Sequence, residues 1–265
     1  MKEKEIKKFF DVMSIDRNLE IESDPIGKYE QQMRQRAVVE LLNPTKSELI
    51  LDVGCGNARD IIVFGSSGAE SIGIDLSTGM IKEGRKDIAK IGLEKIDLIV
   101  GNATNLPFKE ETFDKISCSE TIEHIPNYED AITEMNRVLK GGGKLVITTP
   151  NWHSLYGLSR KIFTKPFKLL FCFLRFILRK EASGGHPYDE WKTQKEVVEI
   201  LEKCGMEIER RIGVCFIPCI PFQVVYRLPV GIKKVIVKLT LPIENKIRTV
   251  FTGHGYMIAV SAIKK

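Results

Sequence analysis

An α/β fold, a doubly wound and mostly parallel seven-stranded sheet with helices on its faces, is what the sequence predicts, and three observations carry it. Five short apolar runs, at residues 49–53, 71–75, 97–100, 113–118 and 144–148, alternate with helical stretches at about 20–30-residue spacing, the rhythm of successive βα units. The first run leads directly into a glycine turn, Gly54-Cys55-Gly56. The composition, 43% hydrophobic and 28% charged over 265 residues, is that of a globular chain able to bury a sizeable core.

Before the first strand, Ile6, Phe9, Phe10 and Met13 recur at i, i+3, i+4 and i+7, one face of an amphipathic helix. A second helix is expected over 29–42, stopping ahead of Pro44. Gly141-Gly142-Gly143 reads as a turn feeding the fifth strand, and Pro150 closes the regular part. Residues 151–190 break the rhythm with a Phe- and Leu-rich stretch and the loop Ser183-Gly184-Gly185-His186-Pro187. Regularity returns with a helix over 193–203 ended by Gly205, a strand near 206–213, an apolar stretch punctuated by prolines (212–243), and a last strand over 256–263. The expected organisation is a helical segment at 1–47, a core at 48–150, an insertion at 151–190 and a C-terminal part, 191–265, completing the same core.

Forty Lys and Arg against 35 Asp and Glu leave +5, too mild a charge to call for a nucleic-acid partner. The six cysteines form no CxxC pair and read as reduced thiols of a cytoplasmic chain. No signal peptide and no run long enough to span a bilayer are expected.

The densest signal is Asp52-Val53-Gly54-Cys55-Gly56-Asn57-Ala58-Arg59-Asp60, a buried strand ending in a glycine turn that opens a helix. Glycines let the backbone approach a ligand, so a side chain at Gly54 is expected to fill space the ligand needs, and a helix start offers N–H groups. Asp75 ends the second strand 21 residues later, where a carboxylate takes the hydroxyls of a ribose. A dinucleotide loop usually carries a third glycine, and Ala58-Arg59 supplies none. Asp52, just before the turn, would repel phosphate and attract an ammonium group. A ligand with a ribose, no phosphate and a cationic amino-acid tail fits, and S-adenosylmethionine is that ligand. A nicotinamide-dependent oxidoreductase, or a non-catalytic binding protein of the same fold, are the alternatives.

With these residues in place the chain resembles the class I S-adenosylmethionine-dependent methyltransferases, whose fold is Rossmann-like. Asp52 to Gly56 resembles their first motif, and Asp75 the acidic end of their second strand. Gly101-Asn102-Ala103 with Leu106-Pro107-Phe108 resembles the adenine-facing loop, with Asn102 where Asp is usual. Phe113-Asp114, and Arg137 to Gly143, match the approaches to strands four and five. Within the superfamily the chain is most similar to the ubiquinone-biosynthesis O-methyltransferases. That resemblance implies that Arg34, with Arg36 as competitor, meets the methionyl carboxylate. It also implies two features of some members: magnesium on Glu120, Glu123 and His124, and a membrane-associating insertion after strand five, here 151–190. The candidate cofactor contacts are Arg34, Asp52, Gly54, Gly56, Asp75, Asn102, Ala103 and Ser119.

Methyl transfer from a sulfonium is an in-line displacement that needs alignment and exclusion of water more than a nucleophilic constellation. A base helps a hydroxyl acceptor, and His124, after the fourth strand, is the candidate. The metal set of Glu120, Glu123 and His124 stands behind a metal-free reading, because Glu-His-Ile-Pro also follows strand four in metal-independent members. His153 and His186 read as loop residues, and Cys55 and Cys118 as packing. The acceptor is expected to be small or lipid-like. In 160–180, Lys161, Lys168 and Arg175 recur every seven residues among Phe, Leu and Ile, the pattern of a peripheral membrane helix or of a lid, with Cys215 to Tyr226 as a second lip.

Overall fold

The computed structural model describes residues 2–154, 157, 188–216 and 228–265. Seven strands, β1 (Leu49–Val53), β2 (Glu70–Asp75), β3 (Ile96–Val100), β4 (Phe113–Ser119), β5 (Leu139–Pro150), β6 (Met206–Val214) and β7 (Met257–Lys264), form one sheet in the order β3-β2-β1-β4-β5-β7-β6. All neighbours are parallel except β7, which runs antiparallel to both β5 and β6. Around it lie α1 (Lys2–Ser23), α2 (Pro25–Leu42), α3 (Arg59–Ser66), α4 (Thr78–Ile91), α5 (Tyr128–Val138), α6 (Gln194–Lys203) and α7 (Val230–Ile247).

The central strands read as unbroken apolar runs because both faces are covered. On one face, Leu51, Ile116 and Leu145 meet Ile132 and Met135 of α5 and Leu201 of α6. On the other, Ile50 and Val146 meet Leu41 of α2 and Ile61 and Phe64 of α3. The glycine loop is itself packed in: a Cβ at Gly84 of α4 would sit 3.0 Å from the Ala58 methyl and 3.1 Å from the Asn57 carbonyl carbon.

Three elements differ from expectation. α2 begins at Pro25, where Asp24 caps it by accepting from the Ile26 and Gly27 amides and Pro sits in the first turn. β5 already starts at Leu139, so the glycine triplet lies inside the strand, with Gly142 at φ +74° and the register to β4 shifting between Phe113 and Lys115. The proline-punctuated stretch contains α7, which carries Pro242 in its interior. The expected insertion lies outside the described residues over 158–187, and with it the basic stripe of 160–180. So does the second lip from residue 217.

Candidate active site

Strand order reverses between β1 and β4, and a cavity of about 800 Å³ opens beyond the carboxyl ends of these strands. That is where open α/β sheets hold their ligands, since two neighbouring loops there turn to opposite sides of the sheet. Its lining includes all eight candidate contacts: Arg34, Asp52, Gly54, Gly56, Asp75, Asn102, Ala103 and Ser119.

The glycine loop is fixed by the end of β2. The Gly54 and Cys55 amides both donate to the Ile74 carbonyl, at 2.8 and 3.1 Å. Asp75 accepts from the Gly56 amide (2.9 Å) and the Ser77 amide (2.8 Å), so its carboxylate is oriented by the loop it faces. Gly54 and Gly56 both have positive φ, +73° and +52°. They differ in what a side chain would meet. At Gly54 a Cβ would run into the Thr121 side chain, whereas at Gly56 nothing lies within 4 Å. The expectation for Gly54 is therefore corrected: protein already fills that space, and Gly56 borders the open cavity. Ala58 takes the left-handed conformation at φ +70°.

Arg34 is buried and its guanidinium is gripped from two sides. Both terminal nitrogens bond Asp60 at the start of α3, one of them at 3.2 Å, and Nε forms an ion pair with Glu120 at 3.0 Å without hydrogen-bond alignment. Burial opposes its charge, but Asp60 and Glu120 outweigh that and hold it protonated. The hydrogen bonds to Asp60 use two of the five N–H donors of an arginine. Arg36 is exposed and turns to Asn245 of α7, so it does not compete. Asp52 is 2% exposed. Burial, and then the charge of Asp60, push its carboxyl well above the usual range. The cavity thus holds an acidic excess: Glu3, Glu30, Asp52, Asp60, Asp75 and Glu120 line it against two guanidiniums, Arg34 and Arg59. A ligand carrying a sulfonium and an ammonium supplies the missing positive charge, and Gly56 leaves room for it. The donor set fits S-adenosylmethionine.

Asn102 accepts from the Thr104 amide and hydroxyl, both at 3.0 Å, and its amide donates to Glu3 of α1. Its loop is pinned from below by Arg137, which donates to the carbonyls of Phe108 (2.9 Å) and Leu106 (3.0 Å). Ser119 lies 2.9 Å from the Thr148 hydroxyl. The next residue, Glu120, has φ +46°, a conformation that costs a non-glycine residue of order 1 kcal/mol. His124, in the turn Ile122–His124, lines the cavity with the Phe10 ring edge-on at 5.4 Å. Its Nδ1 is 3.2 Å from the Tyr188 carbonyl. A carbonyl only accepts, so this bond puts the proton on Nδ1 and the basic lone pair on Nε2.

The metal triad is not assembled. Glu123 does not line the cavity; it is 1% exposed and accepts from the Thr149 hydroxyl at 3.1 Å. Burial, and then Glu120, drive its carboxyl well above the ordinary range. Among the described residues no three His, Cys, Asp or Glu are grouped as a metal would require. Cys55 and Cys118 are buried, with thiols pushed up by desolvation, so neither is a ready thiolate. His153 is exposed outside the cavity, and His186 lies beyond the described residues.

Sequence reasoning missed two contributors. Asp60 stands in the quoted motif, yet only the fold brings it to Arg34. Asp11 of α1 accepts from the Ser77 hydroxyl (2.6 Å) and the Gly79 amide (2.9 Å), which lays α1 over the site with Glu3, Ile6 and Phe10 in its lining. The expected amphipathic face was the available signal; what it would cover was not.

A family model for a methyltransferase domain matches residues 51–147. A demethylmenaquinone methyltransferase of Bacillus cytotoxicus is 30% identical over 164 residues, covering 59% of this chain and 69% of the relative. The chain belongs to the S-adenosylmethionine-dependent methyltransferases. Such a methyltransferase is an enzyme that uses S-adenosylmethionine, a reading these relatives favour over the nicotinamide and non-catalytic alternatives. A second demethylmenaquinone methyltransferase, from Streptomyces avermitilis, is 27% identical over 208 residues, 76% of this chain and 85% of the relative. The methyltransferase fold is shared with an S-adenosylmethionine-dependent methyltransferase of Thermotoga maritima, at a TM-score of 0.66 and 19% identity over 97% of this chain and 99% of that one. It is shared also with a geranyl diphosphate C-methyltransferase of Streptomyces coelicolor, at 0.60 and 15% over 89% and 79%.

Removing Arg34 strands the acids around it. Arg34→Ala is expected to lower stability by about 3–5 kcal/mol, and Asp60→Asn added to it to recover part of the loss, in a double-mutant cycle read by urea unfolding. The two glycines are expected to separate. Gly56→Val should keep the fold at a cost of about 1 kcal/mol of backbone strain while weakening S-adenosylmethionine binding in calorimetry. Gly54→Val should lose stability first, through Thr121.

Proposed function

We propose that this methyltransferase acts on a small, lipid-like acceptor, a prenylated or quinone-like molecule, and that one cavity receives cofactor and acceptor together. The observation that carries this is the mixed lining. Asp52 and Asp75 stand at the ends of β1 and β2, with Asp60 and Glu120 beside them on Arg34, while Ile6, Phe10, Ile125 and Met257 add apolar wall, with Phe10 and Ile125 beside His124. The relatives named for demethylmenaquinone support a quinone-like acceptor.

Bound in the acidic half, S-adenosylmethionine supplies an electrophilic methyl group on a sulfonium. Asp75, already oriented by two backbone amides, takes the ribose hydroxyls. The remaining donors of Arg34 meet the methionyl carboxylate, and Asp52 faces the ammonium. Asn102 and Ala103 border the adenine, and Gly54, Gly56 and Ser119 shape the floor. His124 accepts the acceptor's proton on Nε2. The apolar wall excludes water and holds the acceptor in line, which is most of what this displacement asks of a protein. No described helix is long and apolar enough to cross a membrane. We place the enzyme in the cytoplasm, drawing its acceptor from the inner face of a membrane.

The test is transfer of a labelled methyl group from S-adenosylmethionine to lipid and aqueous extracts. Label is expected in the organic phase; label confined to the aqueous phase would refute the lipid-like acceptor. His124→Gln is expected to lower kcat by about 10²–10⁴-fold with cofactor affinity unchanged.

Asp52 sets a pH dependence. Its carboxyl is raised in the free protein, so the folded chain binds a proton that the unfolded chain has released, and this group's contribution to stability falls as pH rises. A cationic ligand favours the ionised form, so cofactor affinity is expected to rise with pH until the carboxyl is ionised in the free protein. Asp52→Asn should flatten that profile, weaken binding and stabilise the ligand-free protein at neutral pH. A pH-independent Kd in the parent protein would remove Asp52 from the ammonium site.

A further inference from the structure

Helix α7 buries polar side chains and exposes apolar ones, while Val237 and Leu241 pack half-buried against the core. Its buried positions include Lys233, Thr240 and Glu244, whereas Ile232, Val235, Leu239 and Ile243 are 49%, 56%, 65% and 54% exposed. The inward polar groups are tied to α2 and its flank: Lys233 pairs with Asp24, and Glu244 accepts from the Tyr29 hydroxyl and, at 2.7 Å, from the Cys215 amide. The outward residues fall at i, i+3, i+7 and i+11, a single stripe along the helix. Val230 at the helix start and Val250 and Phe251 just beyond its end are exposed too, so residues 230–251 hold seven of the ten large apolar side chains exposed among the described residues. Lys234, Lys238 and Lys246 are exposed on the same helix, whose one acid, Glu244, is buried. The outer face is therefore apolar and cationic, with no anion of its own.

We propose that this face of α7 docks on an anionic lipid bilayer. The apolar stripe enters the interface while the lysines extend their aliphatic stems over it and reach the phosphates. The charge pattern selects this occupant over a second copy of the chain, since an isologous pairing would set the same lysines against each other. Gly27, Glu30, Gln31 and Arg34 of α2, the helix on which α7 packs, line the cavity, so docking would bring that wall of the site towards the bilayer. The inference is independent of the acceptor's identity and of residues 160–180.

The experiment is co-sedimentation of the full chain with vesicles of phosphatidylcholine containing phosphatidylglycerol, against phosphatidylcholine alone. Binding is expected to the anionic vesicles and to decline with salt. Lys234→Glu with Lys238→Glu should weaken it by tenfold or more, since each lysine near an anionic surface is worth roughly fivefold. Val235→Ser with Leu239→Ser and Ile243→Ser should weaken it at least about tenfold, with the thermal midpoint kept or raised. Both variants leave residues 160–180 intact. No binding, equal binding to neutral vesicles, or variants that bind like the parent would overturn the proposal. A concentration-dependent dimer that the triple variant dissociates would overturn it in favour of a second copy. A triple variant that loses stability while neither form binds vesicles would show that the chain itself covers the face.

Discussion

One buried guanidinium governs the architecture of the site. Arg34 comes from α2, Asp60 from the start of α3 and Glu120 from the end of β4, three elements with no ladder between them. A buried cation is tolerable only when acids surround it, and several acids are tolerable only when a cation sits among them. The cluster fixes where α2 lies over the sheet, and hence the wall of the cavity. It also leaves the balance short, because Asp52 must share the one guanidinium of Arg34 with Asp60 and Glu120. The charge of the ligand is thus written into an unfinished pairing.

Around this clamp the remaining parts are held by hydrogen bonds that pass from one element to the next. Asp75 fixes the glycine loop through Gly56 and the start of α4 through Ser77, and Ser77 in turn bonds Asp11 of α1. The floor and the roof of the cavity therefore share one polar chain. Glu120 keeps its positive φ beside Arg34, and strain of this kind persists where neighbours over-determine a conformation, commonly at sites of binding or chemistry.

The strands were legible because each is an apolar run closed by a turn, and the residues at their ends followed from strand order. Gly54, Gly56, Asp75 and His124 line one cavity, as their places beside successive strand ends imply, and Arg34, inside α2, joins them where the resemblance put it. What stayed hidden depends on packing that has no period. Nothing in the order of residues distinguishes Gly54, whose missing side chain makes way for Thr121, from Gly56, whose missing side chain opens the cavity. Glu120 and Glu123 are one turn apart, yet only one faces the site. α7 escaped notice because its apolar stripe faces outward, its polar residues are the buried ones, and Pro242 reads as a breaker.

The position of β7 has a consequence for how the sheet is made. It is the last of the seven strands in chain order, yet it lies between β5 and β6, and among the described residues β6 hydrogen-bonds to no other strand. Until β7 arrives during synthesis, β5 is an open edge and β6, with α6 behind it, has no ladder to join. The sheet closes like a drawn seam, late and from the middle, and the interval before closure is when a growing chain offers a bare apolar edge to its neighbours.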